Sequence, residues 1–157
     1  MTYLGTVLVV EDVIRSRGLY EKIMGLKVKD DFGIYNVGFE GGLALYQKKL
    51  FQDLTGNLPY ASRSNNFVVF FEVRDLDDLE VVIAQNGYEF IHRIQVQPWQ
   101  QRIFRFYDYD GHINEVAEPM DGVILRLSGE GNTPERIAEL ISYSVDRVNT
   151  ILKQSTK

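Results

Sequence analysis

The residues with the most chemistry to offer lie between Gln101 and Glu118, in the stretch QRIFRFYDYDGHINEVAE. Asp108 and Asp110 precede a glycine; His112 and Glu115 follow it. The stretch predicts a β-hairpin. Residues 102–107 are rich in β-branched and aromatic types, Asp108-Tyr109-Asp110-Gly111 is the turn, and 113–117 is the returning strand. Gly111 supplies the positive φ such a turn needs, and the aspartates can cap their own backbone. Strand alternation places Ile113, Glu115 and Ala117 on one face. Over a cavity, Glu115 is a carboxylate held among apolar neighbours, able to accept a hydrogen bond or a proton. On an open face it is an ordinary solvated Glu. The residues alone leave both readings standing.

Composition sets the frame for that carboxylate. At 157 residues the chain makes one domain with room for an appendage. A net charge of −5 argues against non-specific binding to nucleic acid or anionic membranes. The chain has no cysteine, which excludes disulfides, thiolate metal sites and Cys nucleophiles and suits a reducing cytoplasm. No apolar run approaches membrane-spanning length, and the N-terminus lacks a signal-peptide pattern.

The elements that must position Glu115 read as a repeat. Residues 3–10 predict a strand, Asp12 an N-cap, 13–24 a helix ended by Gly25, and 26–31, 34–39 and 43–47 three short strands. Gly18, inside the helix, implies a close neighbour there. Residues 48–66 are a connector. The order then returns: strand 67–73, cap Asp75, helix 76–85, Asn86-Gly87, strand 88–95 and the hairpin. Val10-Glu11-Asp12 matches Val73-Arg74-Asp75, and Gly42-Leu43 matches Gly111-His112, which marks two copies of one supersecondary unit. After Pro119 the pattern changes. Residues 123–127 are apolar and of undecided type. Thr133-Pro134-Glu135 and Ser144 each start a helix, giving an αα-hairpin.

Two β-α-β-β-β units ending in D-x-D-G-x-x-x-E resemble the vicinal oxygen chelate superfamily of glyoxalases, extradiol dioxygenases and bleomycin-resistance proteins. VVEDVIRSRGLYEKIMGL in the first half, with FFEVRDLDDLEVVIAQNG and FRFYDYDGHINEVAE in the second, carry the resemblance over roughly residues 3–118. It implies an α+β fold of two βαβββ modules, 1–47 and 67–118, forming a cup-shaped mixed sheet. The helical extension 119–157 follows. In the metal enzymes of the family four strand positions hold His, Gln or Glu. Here those positions are Gly5, Tyr46, Val68 and Glu115. Only Glu115 matches, and a divalent cation needs about three N or O ligands. The expectation is therefore no metal and no cofactor. His92 and His112 lie off the expected floor positions and do not supply the difference.

By strand parity Tyr46, Phe70 and Glu72 face the cup beside Glu115, with Trp99 and Arg102 near its mouth. Arg102 can grip a ligand carboxylate or phosphate, or pair internally with Glu115 or Glu72. Trp99 can stack on a planar ligand or fill a core edge. Three functions compete. One is a metal-free small-molecule binder like the bleomycin-resistance branch, built on Tyr46, Phe70, Glu72, Trp99, Arg102 and Glu115. Another is a lyase, isomerase or dioxygenase of this fold with a non-standard metal or Glu115 as general base. The last is a tail that binds a partner or DNA. Residues 121–157 carry five basic and five acidic side chains, which disfavours DNA. A homodimer is expected from the family.

Overall fold

Both halves of the chain fold as βαβββ, with the same strand order. The computed structural model describes residues 1–155; Lys157, counted among the tail charges, lies outside them. In the first half β1 (Thr6–Val10), β2 (Val28–Asp31), β3 (Asn36–Phe39) and β4 (Leu43–Gln47) form a sheet in the order β1-β4-β3-β2. The second half repeats it. Strands β5 (Val68–Glu72), β6 (Glu89–Val96), β7 (Arg102–Tyr107) and β8 (Ile113–Ala117) run in the order β5-β8-β7-β6. The helix of each module, α1 (Val13–Arg17) in the first and α3 (Leu76–Gln85) in the second, follows its first strand; α2 (Lys48–Leu54) lies in the connector. Contacts divide the chain into two compact units. The first comprises Met1–Val69, Gln85–Glu89 and Tyr107–Ile113; the second comprises Phe70–Ala84, Phe90–Phe106 and the chain from Asn114.

In the first unit alternation decides what is buried. Leu8, Val10, Val37, Phe39 and Leu45 pack with Val13, Leu19 and Tyr20, while Val7, one residue out of phase, is exposed. Strands β1 and β4 run parallel, with Val7 level with Ala44 and Val9 level with Tyr46. The expected helix 13–24 divides at Gly18: one α-helical turn capped by Asp12, then a π-helical turn over Gly18–Ile23. Nothing lies within 4 Å of where a Cβ at Gly18 would sit, and its backbone is ordinary right-handed helix. The close neighbour expected there is absent. Gly18→Ala is therefore expected to stabilise the protein by about 0.5–1 kcal/mol, because it restricts the unfolded chain without a clash. Denaturant unfolding would measure it, and a loss of stability would contradict it.

The hairpin turn is the best-braced part of this unit. Asp108 Oδ1 accepts from the backbone N–H groups of Asp110 and His112, at 3.0 and 2.8 Å. Its Oδ2 accepts from the Tyr20 hydroxyl at 2.8 Å and pairs with His112 Nδ1 at 2.8 Å. All three side chains are buried. Asp110 accepts the Glu11 N–H at 2.8 Å, and the Tyr60 hydroxyl donates to the Asp110 carbonyl at 3.1 Å. Gly111, at φ +84°, sits so close to Arg63 and Ser62 that a Cβ would meet the Arg63 side chain at 2.7 Å. The connector is thus a brace for the turn, with Arg63 stacked on Tyr107 and paired with Glu89.

Burial, the largest influence, lifts the Asp110 carboxyl above its ordinary range; the Glu11 N–H opposes it. The sign follows. A carboxyl raised in the folded state favours folding when protonated, and that gain is lost as pH rises through the folded value. Burial also pushes the Tyr60 phenol up to about 12, reinforced by the Asp110 carboxylate. Asp110→Asn keeps an acceptor for the Glu11 N–H. It is expected to match or exceed the wild-type melting temperature at neutral pH, and to lose its advantage below about pH 4. Thermal melts at the two pH values decide this. A variant that melts lower at pH 7 and higher at pH 3 would reverse the sign.

In the second unit Phe104, Phe106 and Val116 are fully buried, with Leu76 and Ile83 of α3. Glu80 of α3 clamps the outer strand β6. It accepts the Ile94 N–H at 2.7 Å and pairs with Arg93, whose guanidinium holds the carboxyl below its usual range. Such a clamp blunts a sheet edge.

The C-terminal segment is a three-helix group. Helices α5 (Pro134–Ile141) and α6 (Val145–Gln154) form the expected hairpin, capped by Thr133 and Ser144. Residues 123–127, of undecided type in the sequence, lie within a further helix, α4 (Met120–Gly129). Val123, Ile124 and Leu127 fall on one helical face and share a core with Ile137, Ala138, Ile141 and Val148. Arg126 of α4 ties this group to the strands: it donates to the Gln100 carbonyl at 2.6 Å and pairs with Glu118 at 2.9 Å.

Candidate functional site

Strands β7 and β8 set the site. The Asp108 N–H donates to the His112 carbonyl and the Glu118 N–H to the Arg102 carbonyl. Counting inward from these two bonds places Arg105 directly opposite Glu115, where cross-strand side chains meet. The pair forms. Arg105 Nε donates to Glu115 Oε2 at 2.5 Å, and Nη2 reaches the same oxygen. The side chains are 25% and 16% exposed, so solvent screens the pair only partly.

His92 of β6 completes the cluster. Its Nε2 lies 2.8 Å from Arg105 Nη1, and its Nδ1 lies 2.8 Å from the Arg93 carbonyl oxygen. A guanidinium only donates and a carbonyl only accepts. The partners therefore assign the neutral tautomer with the proton on Nδ1 and the lone pair on Nε2. Arg105 is held from two sides, by a carboxylate and by an imidazole.

Glu115 and, on the neighbouring strand β5, Phe70 and Glu72 belong to the second unit. Phe70, Glu72 and Val68 lie on the exposed side of β5, as alternation required. Arg102 does not join Glu115 or Glu72. Its guanidinium pairs with Asp77 of α3 at 2.6 Å, holding that carboxyl below its usual range, and its backbone N–H donates to Glu118. The reason is parity: Arg105 lies three positions after Arg102, an odd offset, so their side chains leave opposite faces of β7. Trp99 sits in the turn between β6 and β7, 41% exposed, its Nε1–H donating to Gln101 at 2.8 Å. Gln101 donates in turn to the Glu118 carbonyl, so Trp99 is tied to the end of the strands where the helical extension begins. Tyr46 belongs to the first unit, on the face of the first sheet that also carries Ala44 and Val9. His112 is the buried partner of Asp108, with the Phe67 ring 5.7 Å away. Arg105 is the residue that sequence reading missed. The signal was available: the turn at Asp108–Gly111 fixes the hairpin register, and that register names the residue across from Glu115.

The donor set does not fit a divalent cation. A Cβ at Gly5 would lie 1.7 Å from the Gly42 carbonyl oxygen, so no ligating side chain can stand there without moving the backbone. Val68 offers only carbon. Glu115 already neutralises Arg105. Among the described residues no group of three or more His, Asp or Glu side chains is placed to hold a metal ion.

The glyoxalase-like domain family matches residues 3–121. The chain belongs to that family. This glyoxalase-like protein therefore lies within the vicinal oxygen chelate superfamily, as its paired sheets indicate. A protein of unknown function from Agrobacterium tumefaciens is 35% identical, with a TM-score of 0.67 over 76% of this chain and 94% of that one. A glyoxalase-related enzyme from Fulvimarina pelagi is 19% identical, with a TM-score of 0.65 over 76% of this chain and 89% of its own. A lactoylglutathione lyase from Agrobacterium tumefaciens is 18% identical, with a TM-score of 0.58 over 76% and 94%. The last two likenesses concern the fold. No curated protein matches the chain. No helix among the described residues of this glyoxalase-like protein is long and apolar enough to cross a membrane.

Proposed function

We propose that this glyoxalase-like protein is a metal-free small-molecule binder whose ligand meets the Arg105–Glu115–His92 cluster on the second sheet. One observation carries the reading. The carboxylate at the family's ligand position is ion-paired to an arginine of the same hairpin, so a fixed cation of the protein occupies the role a metal charge would fill. Phe70, 51% exposed on the neighbouring strand, adds an apolar surface of the kind small-molecule sites use. Accepting a proton from a substrate would cost Glu115 this pair, which favours holding a ligand over general-base chemistry.

Metal analysis and a binding screen test the proposal together. Protein purified without chelator is expected to hold Zn, Mn, Ni and Fe well below stoichiometry. In a thermal-shift screen of small molecules, compounds that raise the melting temperature of the wild type are expected to lose their effect in Arg105→Ala. One equivalent of metal, released by Glu115→Ala, would overturn the reading.

A further inference from the structure

Resting on that reading of the cluster, we propose that the group recognised by Arg105 and Glu115 is planar, uncharged and at once donor and acceptor, as a carboxamide is. Arg105 has more donors than its two protein partners use. A guanidinium has one N–H on Nε and two on each terminal nitrogen. Nε and one N–H of Nη2 serve Glu115, and one N–H of Nη1 serves His92. Each terminal nitrogen keeps one further N–H for a ligand. Both contacts to Glu115 end on Oε2, so Oε1 lies outside the pair as an acceptor. The face therefore presents donors and an acceptor side by side.

Charge narrows the choice. Arg105 and Glu115 cancel, and the tautomer assigned to His92 is neutral. A ligand carboxylate would take the spare N–H groups of Arg105 but set its second oxygen against Glu115. An amidinium would suit Glu115 but face Arg105. In a pair only 16% and 25% exposed, such like-charge contacts are weakly screened. A carboxamide meets both partners without either penalty: its oxygen accepts from Arg105 and its N–H donates to Glu115. The exposed Phe70 ring suits a flat or aromatic body attached to that group.

Benzamide, benzoate and benzamidine share one shape and differ in charge, so they test the proposal as probes. The full chain, labelled with ¹⁵N, is titrated with each, following the Arg105 Nε–H resonance, which is identified by its loss in Arg105→Lys. Benzamide is expected to bind at least ten-fold tighter than either analogue and to shift that resonance. In Glu115→Gln the uncompensated guanidinium is expected to raise benzoate affinity at least ten-fold. The wild-type ranking stands alone if that variant does not fold. Benzoate or benzamidine binding tightest while the Arg105 resonance moves would overturn the ligand class and leave the binding face intact. No movement with any probe at tens of millimolar would overturn the binding face itself.

Discussion

Asp108→Ala is expected to be among the most damaging single substitutions in this protein, costing about 3–5 kcal/mol. The carboxylate accepts four hydrogen bonds, from the Tyr20 hydroxyl, the His112 ring and the N–H groups of Asp110 and His112. Alanine removes the acceptor that these buried donors share, and no water reaches a Tyr20 with no exposed surface. Three elements depend on it: the π-helical turn that carries Tyr20, the hairpin turn, and the start of β8. The expected signature is a melting temperature roughly 10 °C or more below wild type. Asp108→Asn should lose less, since its amide oxygen can still serve the two backbone N–H groups. Tyr20→Phe, which removes the hydroxyl's bond to Asp108, should cost about 1 kcal/mol. If Asp108→Ala melts within a few degrees of wild type, the D-x-D-G turn is not the brace described.

Gly5→His carries the other large effect. Placing a histidine at Gly5, where the resemblance would put a metal ligand, is the obvious attempt to build a metal site, and it is expected to fail. Gly5 has φ +153°, and the Thr6 N–H donates to the Gly42 carbonyl at 2.8 Å. The same carbonyl oxygen stands 1.7 Å from where a Cβ would be built. Gly42, at φ +93°, is confined in turn by the Leu4 carbonyl. Two backbones therefore meet where neither can carry a side chain. Overlap and backbone strain together should cost about 2–4 kcal/mol for Ala as for His. Unfolding curves for Gly5→Ala and Gly5→His would check the stability, and metal titration the site. Wild-type stability in Gly5→His together with tight Zn binding would refute both the steric argument and the metal-free reading.

Much of the architecture was legible in residue order because it rests on local rules. Alternation on β7 and β8, the Gly111 turn, the caps Asp12, Thr133 and Ser144, and the doubled βαβββ order depend on neighbours a few positions apart. Helix α4 was harder to read. Its apolar face is short, and burial against α5 and α6 confirms it. At Gly18 the local rule fails, because a glycine in a helix is compatible with open space as well as with a close neighbour.

The sequence by itself determined that two copies of one unit would fold, that a carboxylate, Glu115, would stand where the resemblance puts a ligand, and that Gly5 and Val68 have no donor atoms in their side chains. The turn register names Arg105 as the residue across from Glu115, and tertiary structure alone brought His92 of β6 to that pair. Arg102 and Arg105 are the same residue type on one strand, and only the sheet's faces turn one to Asp77 and the other to Glu115. It also decided why Gly5 is glycine, through Gly42 in the turn before β4. Contacts between strands are set by pairing and register across the sheet, and a single chain read from end to end carries that information only indirectly.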